Sequence, residues 1–591
     1  MSVPDQSSDE QPQPIAIGIS FGNGNSSIAY TNVAEGKAEV IANEEGDRQI
    51  PSVLSYIGGE EYTGTQAKSQ IVRNPRNTIA YFRDFLGKAY SDIDPSPCHA
   101  SAHPVTLESG KSVGFIVQEG AADECSDADS REKSSLTVSE VTTRHLRRLR
   151  QSATDYLGKD VTSAVIAIPS DFSDSQKDAL RTAAETAGLS VLQFIPEPIS
   201  ALLGHDAKTQ QAAEGPTIQE DKIVLVADLG ATRSDIAVVA SRGGMYTTLA
   251  TTHDCELGGS TLDKVLIEHA AKEFLKKHKS AKDPRENERS LAKLLLEAEN
   301  VKKALSLGGS ASFSVESLSD GIDFSLTVNR TRFELLANKP LMAFTRLMES
   351  AVQKADLDVL DVDVVLLSGG TAHIPKIASN LRARFPDSTV IISPSTSSSA
   401  VNPSELASRG AAIQASLISE FEKSDIEAST EAVVTVTPHL SQAIGLVTTA
   451  ANGKDSFSTI IEAETPVPVR RTAQIGVRNG GDVLIRLAEG IRAIDVRREE
   501  KSSTNGKPEE SDDEEDVSDD EPEEIRSKIL QPGKILAEMG LQGVKKDSKV
   551  EVQVNVGADS GVTVVCREVG GKGGVRGTLG ASKPTQNGSA S

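Results

Sequence analysis

The sequence predicts two α/β lobes followed by an antiparallel β-sandwich, on three observations. First, glycine-centred stretches accompany or follow apolar, strand-like runs. They are Gly18-Ile-Ser-Phe-Gly-Asn-Gly-Asn-Ser26 with the run 15–19, and Asp228-Leu-Gly-Ala-Thr-Arg-Ser-Asp235 with 223–227. The third is Leu367-Ser-Gly-Gly-Thr-Ala-His-Ile-Pro-Lys376, after 362–367. Second, the first two open similar strand–turn–strand units, which suggests an internal duplication into two lobes. Third, helix-length patterns stop near residue 426, and short alternating runs bounded by Gly, Pro and Asn take over.

Small residues just past a strand let backbone N–H groups approach phosphate closely, because no Cβ intervenes. Two such turns face to face, with a third for the base, would make a nucleotide cleft between lobes. Position 20 is Ser, where a metal-organising carboxylate is expected.

The elements run in order. Strands and turns fill 15–57, with a helix over 64–72, Asn74-Pro-Arg-Asn77, and an amphipathic stretch 79–86. A strand pair lies within 105–117, and a helix covers 136–157 with Arg144, Arg147, Arg148 and Arg150 in its second half. That basic cluster reads as a solvated face ahead of a nucleic-acid site. Strand 163–168 leads to Ser173, which caps helix 174–187, and Gly188 ends it. Strand 191–195 and a helix to 203 precede a polar stretch, 205–222, expected to be a disordered insertion. The second round has strands from 223, 235–239 and 247–253, then helices to about 305. Strands 311–315 and 324–328, helix 331–355, strand 362–367, helix 376–385 and strand 389–392 follow, and a helix around 410–418 closes the unit. Sandwich strands are expected at 433–436, 443–448, 459–461, 472–477, 483–487, 550–556 and 561–566.

The resulting domain plan is a disordered 1–14, a two-lobed nucleotide-binding domain 15–418 and a linker 419–435. A sandwich 436–570 with an acidic insertion 499–524, and a disordered tail 571–591, complete it.

At 591 residues the chain is too long for one core. Its net charge is −23, and the twelve carboxylates within Glu509-Glu-Ser-Asp-Asp-Glu-Glu-Asp-Val-Ser-Asp-Asp-Glu-Pro-Glu-Glu524 supply about half the excess. An acidic surface without Trp disfavours direct nucleic-acid binding. Cys98, Cys125, Cys255 and Cys566 lack metal-ligand spacing, so zinc is not expected. The start is polar and acidic, no run approaches a membrane span of about 20 apolar residues, and a cytoplasmic location is the default.

The order of motifs resembles the seventy-kilodalton heat-shock protein family, an actin-like ATPase lobe pair followed by a peptide-holding sandwich. The likeness covers roughly 15–570. It is carried by Ala67-Lys-Ser-Gln70 with Asn74-Pro75, Ile168-Pro-Ser-Asp-Phe172 with Ser175-Gln176, and Pro196-Glu-Pro198. Leu257-Gly-Gly259, Glu299-Asn-Val-Lys-Lys303 and Gly321-Ile-Asp-Phe324 add to it.

The resemblance implies a nucleotide site made by Gly22, Asn23, Gly24 and Asn25 in the first lobe and Gly230, Ala231, Thr232 and Arg233 in the second. Gly258 and Gly259 join that site. Lys68 matches the lysine reaching the reactive phosphate, the alternative being a solvated helix lysine. Glu197 matches a carboxylate of the magnesium-water shell, and Asp228 the second-lobe aspartate near that metal. Glu299, Lys302, Lys303 and Ser306 match the ribose and adenine wall, and Gly369, Gly370 and Thr371 the adenosine turn. His373 stands where the family has an arginine against the base, and an imidazole can still stack.

The departures cluster where hydrolysis happens. Ser20 replaces the first-lobe aspartate, and Asn23 and Gly24 replace paired threonines. A Gly-Gly-Gly-Thr run has become Gly230-Ala231-Thr232-Arg233. Phosphoryl transfer depends on positioned charge and an oriented water, so ATP binding with little or no hydrolysis is expected, with no catalytic residue assigned. Arg233 at the β/γ-phosphates would make magnesium dispensable; the alternative is that it points to solvent or pairs with a surface carboxylate.

Residues 424–435 lack the family's apolar linker pattern, and no amphipathic helix follows the last strand as a lid. Strands 433–436 and 483–487 offer an edge to an extended segment, or are plain core. The pattern resembles the atypical fungal branch of the family that works in the ribosome-associated complex. That likeness implies a stable heterodimer with a J-domain protein of the zuotin kind and indirect ribosome contact. It further implies support of a ribosome-bound hydrolysing chaperone and contact with nascent chains. Ser511 and Ser518, each before Asp-Asp-Glu, suit an acid-directed kinase or are an unmodified spacer. An ordinary ATP-hydrolysing foldase is the alternative, and a small-molecule kinase on the same lobes is disfavoured by the sandwich.

Overall fold

The computed structural model describes residues 15–579, apart from 33–35, 99, 108–111, 120–132, 213–220, 398–399, 420, 422–423, 426–438, 450–454, 500–522, 558–560 and 572. The expectations for 1–14, for strand 433–436, for most of the linker 419–435 and for Ser511 and Ser518 lie outside the described residues. Two compact units divide the chain. Met1–Ile218, Ile223–Val239 and Thr248–Glu431 form one; Gln219–Lys222, Ala240–Thr247 and Ala432–Ser591 form the other.

The first unit is built on two sheets with one strand order. In the first lobe the strands lie in the order Lys37–Ile41, Asn25–Asn32, Ile15–Phe21, Val161–Ile168, Ser190–Pro196. In the second lobe the order is Met245–Asp254, Ser234–Arg242, Lys222–Leu229, Val364–Ser368, Val390–Ile392. Taking these five strands of each sheet in chain order, both are third, second, first, fourth, fifth; a short sixth strand, Ile50–Pro51, pairs with Asn25–Asn32 in the first sheet. Parallel pairs join the first strand to the fourth in each lobe, which requires long crossovers and covered faces. The sequences comply: Val224, Leu225, Val226 and Ala227 form an unbroken apolar run that is fully buried.

Helix boundaries follow local chemistry. Thr137 accepts from the Glu140 amide while the Glu140 carboxylate takes the Thr137 N–H, so helix Val138–Leu157 starts with a capping box. Ser173 and Gln176 do the same for Asp174–Thr186. The closing helix Leu406–Ile418 lies against helix Glu197–Ala212 so tightly that a Cβ on Gly410 would fall 1.7 Å from the Ser200 carbonyl oxygen. A Cβ on Gly18 would fall 2.1 Å from the Ala412 nitrogen. Glycine at both places lets backbone meet backbone.

Four expectations change. The polar stretch from 205 is not an irregular insertion at its start: helix Glu197–Ala212 runs through it, since Ala, Lys and Gln are good helix formers whatever their exposure. Helix 331–355 is two helices, Arg330–Leu336 and Asn338–Lys354, divided just before Pro340, which has no N–H for a continuous helix. The stretch 79–86 is a short strand, Thr78–Ala80, and a single 3₁₀ turn, Arg83–Phe85. In the 571–591 tail, Gly574–Leu579 pairs antiparallel with Val562–Glu568.

The second unit holds two four-stranded sheets. One is ordered Asp455–Ile461, Ala443–Thr449, Gly481–Glu499, Glu523–Val544; the other Val469–Val477, Ser548–Val556, Val562–Glu568, Gly574–Leu579. Alternation sets their inner faces: Val550, Val552, Val554 and Val556 are buried, with Ile485, Leu487 and Cys566 in the same core. Ile485 and Leu487 are therefore core, while Leu484, the residue just before them, is exposed. The acidic insertion is narrower than 499–524, because strand pairing continues outward to Glu499 and Glu523.

Candidate functional site between the lobes

Most of the expected site residues sit where strands end or helices begin, which is where open α/β sheets bind ligands. Gly22 to Asn25 turn between the first two strands of the first lobe, and Gly230 to Arg233 between their counterparts in the second. Asp228 is the penultimate residue of its strand, and Glu197 opens a helix. Gly258 caps helix Gly259–Lys277. Gly369, Gly370, Thr371 and His373 follow strand Val364–Ser368, and Gly369 has φ +82, a conformation that suits glycine. Glu299, Lys302, Lys303 and Ser306 recur three to four residues apart on helix Glu288–Leu307, hence on one face.

These residues form two electrostatic groups. On the wall, the Lys68 ammonium donates to both Glu299 oxygens at 2.8 and 2.6 Å, joining the first lobe to the second. Lys303 reaches Glu299 at 2.7 Å, and Lys302 bonds Asp263 at 2.6 Å and the Gly259 carbonyl at 2.9 Å. Burial pushes the Glu299 carboxyl upward, but Lys68, Lys303 and Lys302 overrule it and hold it at about 2. Thr371 Oγ1 donates to the Gly230 carbonyl at 2.8 Å, and His373 Nε2 lies 3.1 Å from both Asn402 Oδ1 and Ser404 Oγ. Burial lowers the His373 pKa, so its imidazole is neutral near pH 7 and suited to stacking.

The floor holds the second group. Arg83, 3 % exposed, donates to the Phe21 carbonyl and to Glu197 Oε1, both at 3.1 Å, and pairs with Asp84 at 2.8 Å. Arg233 bonds both oxygens of buried Asp235 at 2.7 Å and reaches Asp171 of the first lobe at 2.6 Å. Burial, with Asp228 and Asp235 nearby, drives Glu197 well above the usual carboxylate range against the pull of Arg83. Burial raises Asp228 to about 6, although a hydrogen bond from Ser368 favours its charged form.

Lys68 pairs with Glu299 on the wall, and the cation beside Glu197 is Arg83, which the sequence reading passed over. Its signal was a charged residue inside the otherwise apolar 79–86 stretch. Arg233 is engaged by Asp235 and Asp171, so reaching a phosphate would require breaking those pairs, and its main partner is a buried carboxylate rather than a surface one. Arg144 and Arg148, from the basic helix, pair with Glu61, Glu119 and Glu44, and Arg150 pairs with Asp160.

The turns themselves have changed use. Asn23 donates to Thr232 Oγ1 at 3.0 Å and accepts from the Arg83 amide at 3.1 Å, making it a strut between lobes. A Cβ on Gly24 would lie 2.6 Å from the Ala231 Cβ. Ala231 thus occupies the space that a hydroxyl-bearing side chain at 24 needs.

The donor set suits the organic part of a nucleotide: glycine turns, a polar wall and a neutral imidazole. It suits magnesium poorly, since Glu197 and Asp235 are already matched by guanidinium groups. Asp228 also supplies a test of the floor. Its folded pKa exceeds the unfolded value of 3.8, so stability is present below pH 3.8 and falls as pH rises toward 6. Asp228→Asn is expected to raise stability at pH 7.5 by about 1–3 kcal/mol, the low end reflecting the residue's partial solvent access, and to match wild type near pH 3.5. Urea denaturation at both pH values checks this; parallel profiles would contradict it.

Paired lobes of common topology around a polar cleft, followed by a two-sheet sandwich, define a chaperone-type nucleotide-binding protein. The family model described as Hsp70 protein matches residues 16–493, and the chain belongs to that family. It is 42% identical over 563 residues to "Ribosome-associated complex subunit SSZ1" of Saccharomyces cerevisiae, covering 95% of this chain and 99% of that one. A heat shock protein 70 homolog of Schizosaccharomyces pombe is 42% identical over 96% of this chain and 95% of its own length. "Heat shock 70 kDa protein 14" of Danio rerio is 34% identical over 77% of this chain and 84% of its own. Among the described residues, no helix is long and apolar enough to cross a membrane.

Proposed function

We propose that this protein binds ATP between its lobes with little or no hydrolysis and serves as a regulatory scaffold. Its partner is a J-domain protein of the zuotin kind, in a stable heterodimer that reaches the ribosome indirectly, in the cytosol. There it supports cotranslational folding by a separate, hydrolysing chaperone, and contacts nascent chains at most in passing. The observation that carries this reading is the use of Asn23, Arg83 and Arg233 as fixed struts where a hydrolysing site needs mobile, metal-organising groups. Similarity to a ribosome-associated complex subunit along nearly the whole chain supports the setting.

Metal independence, first attributed to Arg233 at the phosphates, rests instead on Glu197 and Asp235 being matched by Arg83 and Arg233 rather than left to organise magnesium. Equilibrium ATP binding should then fall by less than about tenfold, or about 1.4 kcal/mol, when EDTA is added. A larger loss overturns that part. The scaffold is tested by affinity purification at low salt followed by mass spectrometry. A stoichiometric J-domain protein is expected, occupying the first lobe and the open sandwich. Recovery of a lone chain carrying client peptides would favour the ordinary foldase instead.

A further inference from the structure

Cysteine spacing gives no hint of a metal site, yet the fold brings one thiol to two other ligand types. His253 is the penultimate residue of the extended run Met245–Asp254, and Cys255 is the first residue beyond it. Asp254 between them is engaged in the turn, accepting from the Glu256 and Leu257 amides at 2.9 and 3.1 Å. Asp171 comes from the other lobe, in the loop after strand Val161–Ile168.

The ligand atoms of Asp171, His253 and Cys255 all lie within 4.8 Å of one another. His253 Nε2 is 3.5 Å from Asp171 Oδ2. Bonds of about 2.0–2.3 Å in a tetrahedral shell place neighbouring ligand atoms roughly 3.5 Å apart, so this pair already has the spacing and the thiol needs a shift of about 1 Å. Arg233 holds Asp171 through Oδ1 at 2.6 Å, leaving Oδ2 toward His253. That is how a carboxylate ligand is commonly oriented from behind. Cys255 is an exposed free thiol, whereas Cys98 and Cys566 are buried.

We propose that Asp171, His253 and Cys255 form a divalent metal site, zinc by preference, that joins the two lobes at an exposed edge of their cleft. One nitrogen, one sulfur and one oxygen donor suit a borderline ion. Binding converts the thiol to a metal-bound thiolate and releases its proton to solvent, and water completes the fourth position. The expectation against zinc rested on cysteine–cysteine spacing, which cannot register a His-x-Cys pair completed by an aspartate 82 positions before the histidine.

The test uses the full chain, stripped of metal by a chelator and titrated with Co²⁺ alone as the probe. One equivalent should produce a thiolate-to-cobalt charge-transfer band that zinc bleaches. Cys255→Ser should abolish the band, and His253→Ala and Asp171→Asn should each weaken Co²⁺ binding by about tenfold or more. Cys125→Ser, as the control, should leave the band intact. Absence of the band in the wild-type chain, or its survival in Cys255→Ser, overturns the site. Unchanged affinity in Asp171→Asn overturns the link between lobes. Unaltered circular dichroism of each variant separates ligand loss from misfolding.

Discussion

In a single-turnover experiment, this protein should cleave bound ATP at least about a thousandfold more slowly than a hydrolysing member of its family, the loss expected from removing one or more transition-state donors. A J-domain protein should not accelerate it. The terminal phosphate is transferred through positioned charge and an oriented water, and each expected contributor has another occupation or is absent. Ser20 carries no carboxylate. Asn23 is tied to Thr232 and to the Arg83 backbone. Gly24 has no side chain, and Ala231 leaves no room for one. Because such groups act as a unit, Ser20→Asp alone should restore less than about tenfold. Radiolabelled ATP mixed with excess protein measures the rate. Cleavage at the pace of hydrolysing relatives, with stimulation by a J-domain, would refute the proposed function.

How much of this was legible depended on the range of the interaction. Glycine turns after apolar runs and i, i+3, i+4 spacing on a helix are local patterns, and they located the turns at 22–25, 230–233 and 369–371 and the shared face of Glu299, Lys302 and Lys303. Capping at Ser173 was legible for the same reason. Ion pairing across the lobes was not, because Arg233 and Asp171 are 62 positions apart and nothing in either neighbourhood names the other. The Lys68–Glu299 pair was illegible for the same reason, its members lying 231 positions apart. The last strand, Gly574–Leu579, was hidden by three glycines near its start and middle, and it exists because Val562–Glu568 offers an edge to pair with. The long pairing of Gly481–Glu499 with Glu523–Val544 was obscured by the acidic composition that separates the two strands.

Arg233→Ala is expected to destabilise the first unit by about 3–5 kcal/mol, the range for breaking one side of a buried ion pair. The guanidinium is 6 % exposed and Asp235 only 2 %, and both Asp235 oxygens are bonded to it. Truncation leaves a carboxylate without its main counter-charge in a place water scarcely reaches, and Asp171 loses its link across the lobes. Replacing both members with apolar residues, Arg233→Met with Asp235→Leu, should recover much of the loss, because neither charge is then left buried alone. Arg233→Lys keeps the charge but not the two-pronged geometry, and should fall between. Urea denaturation at pH 7.5 across these variants measures all three outcomes. A loss below about 1 kcal/mol in Arg233→Ala, the level of a surface pair, would show that Arg233 is free in solution and would return it to the phosphate site.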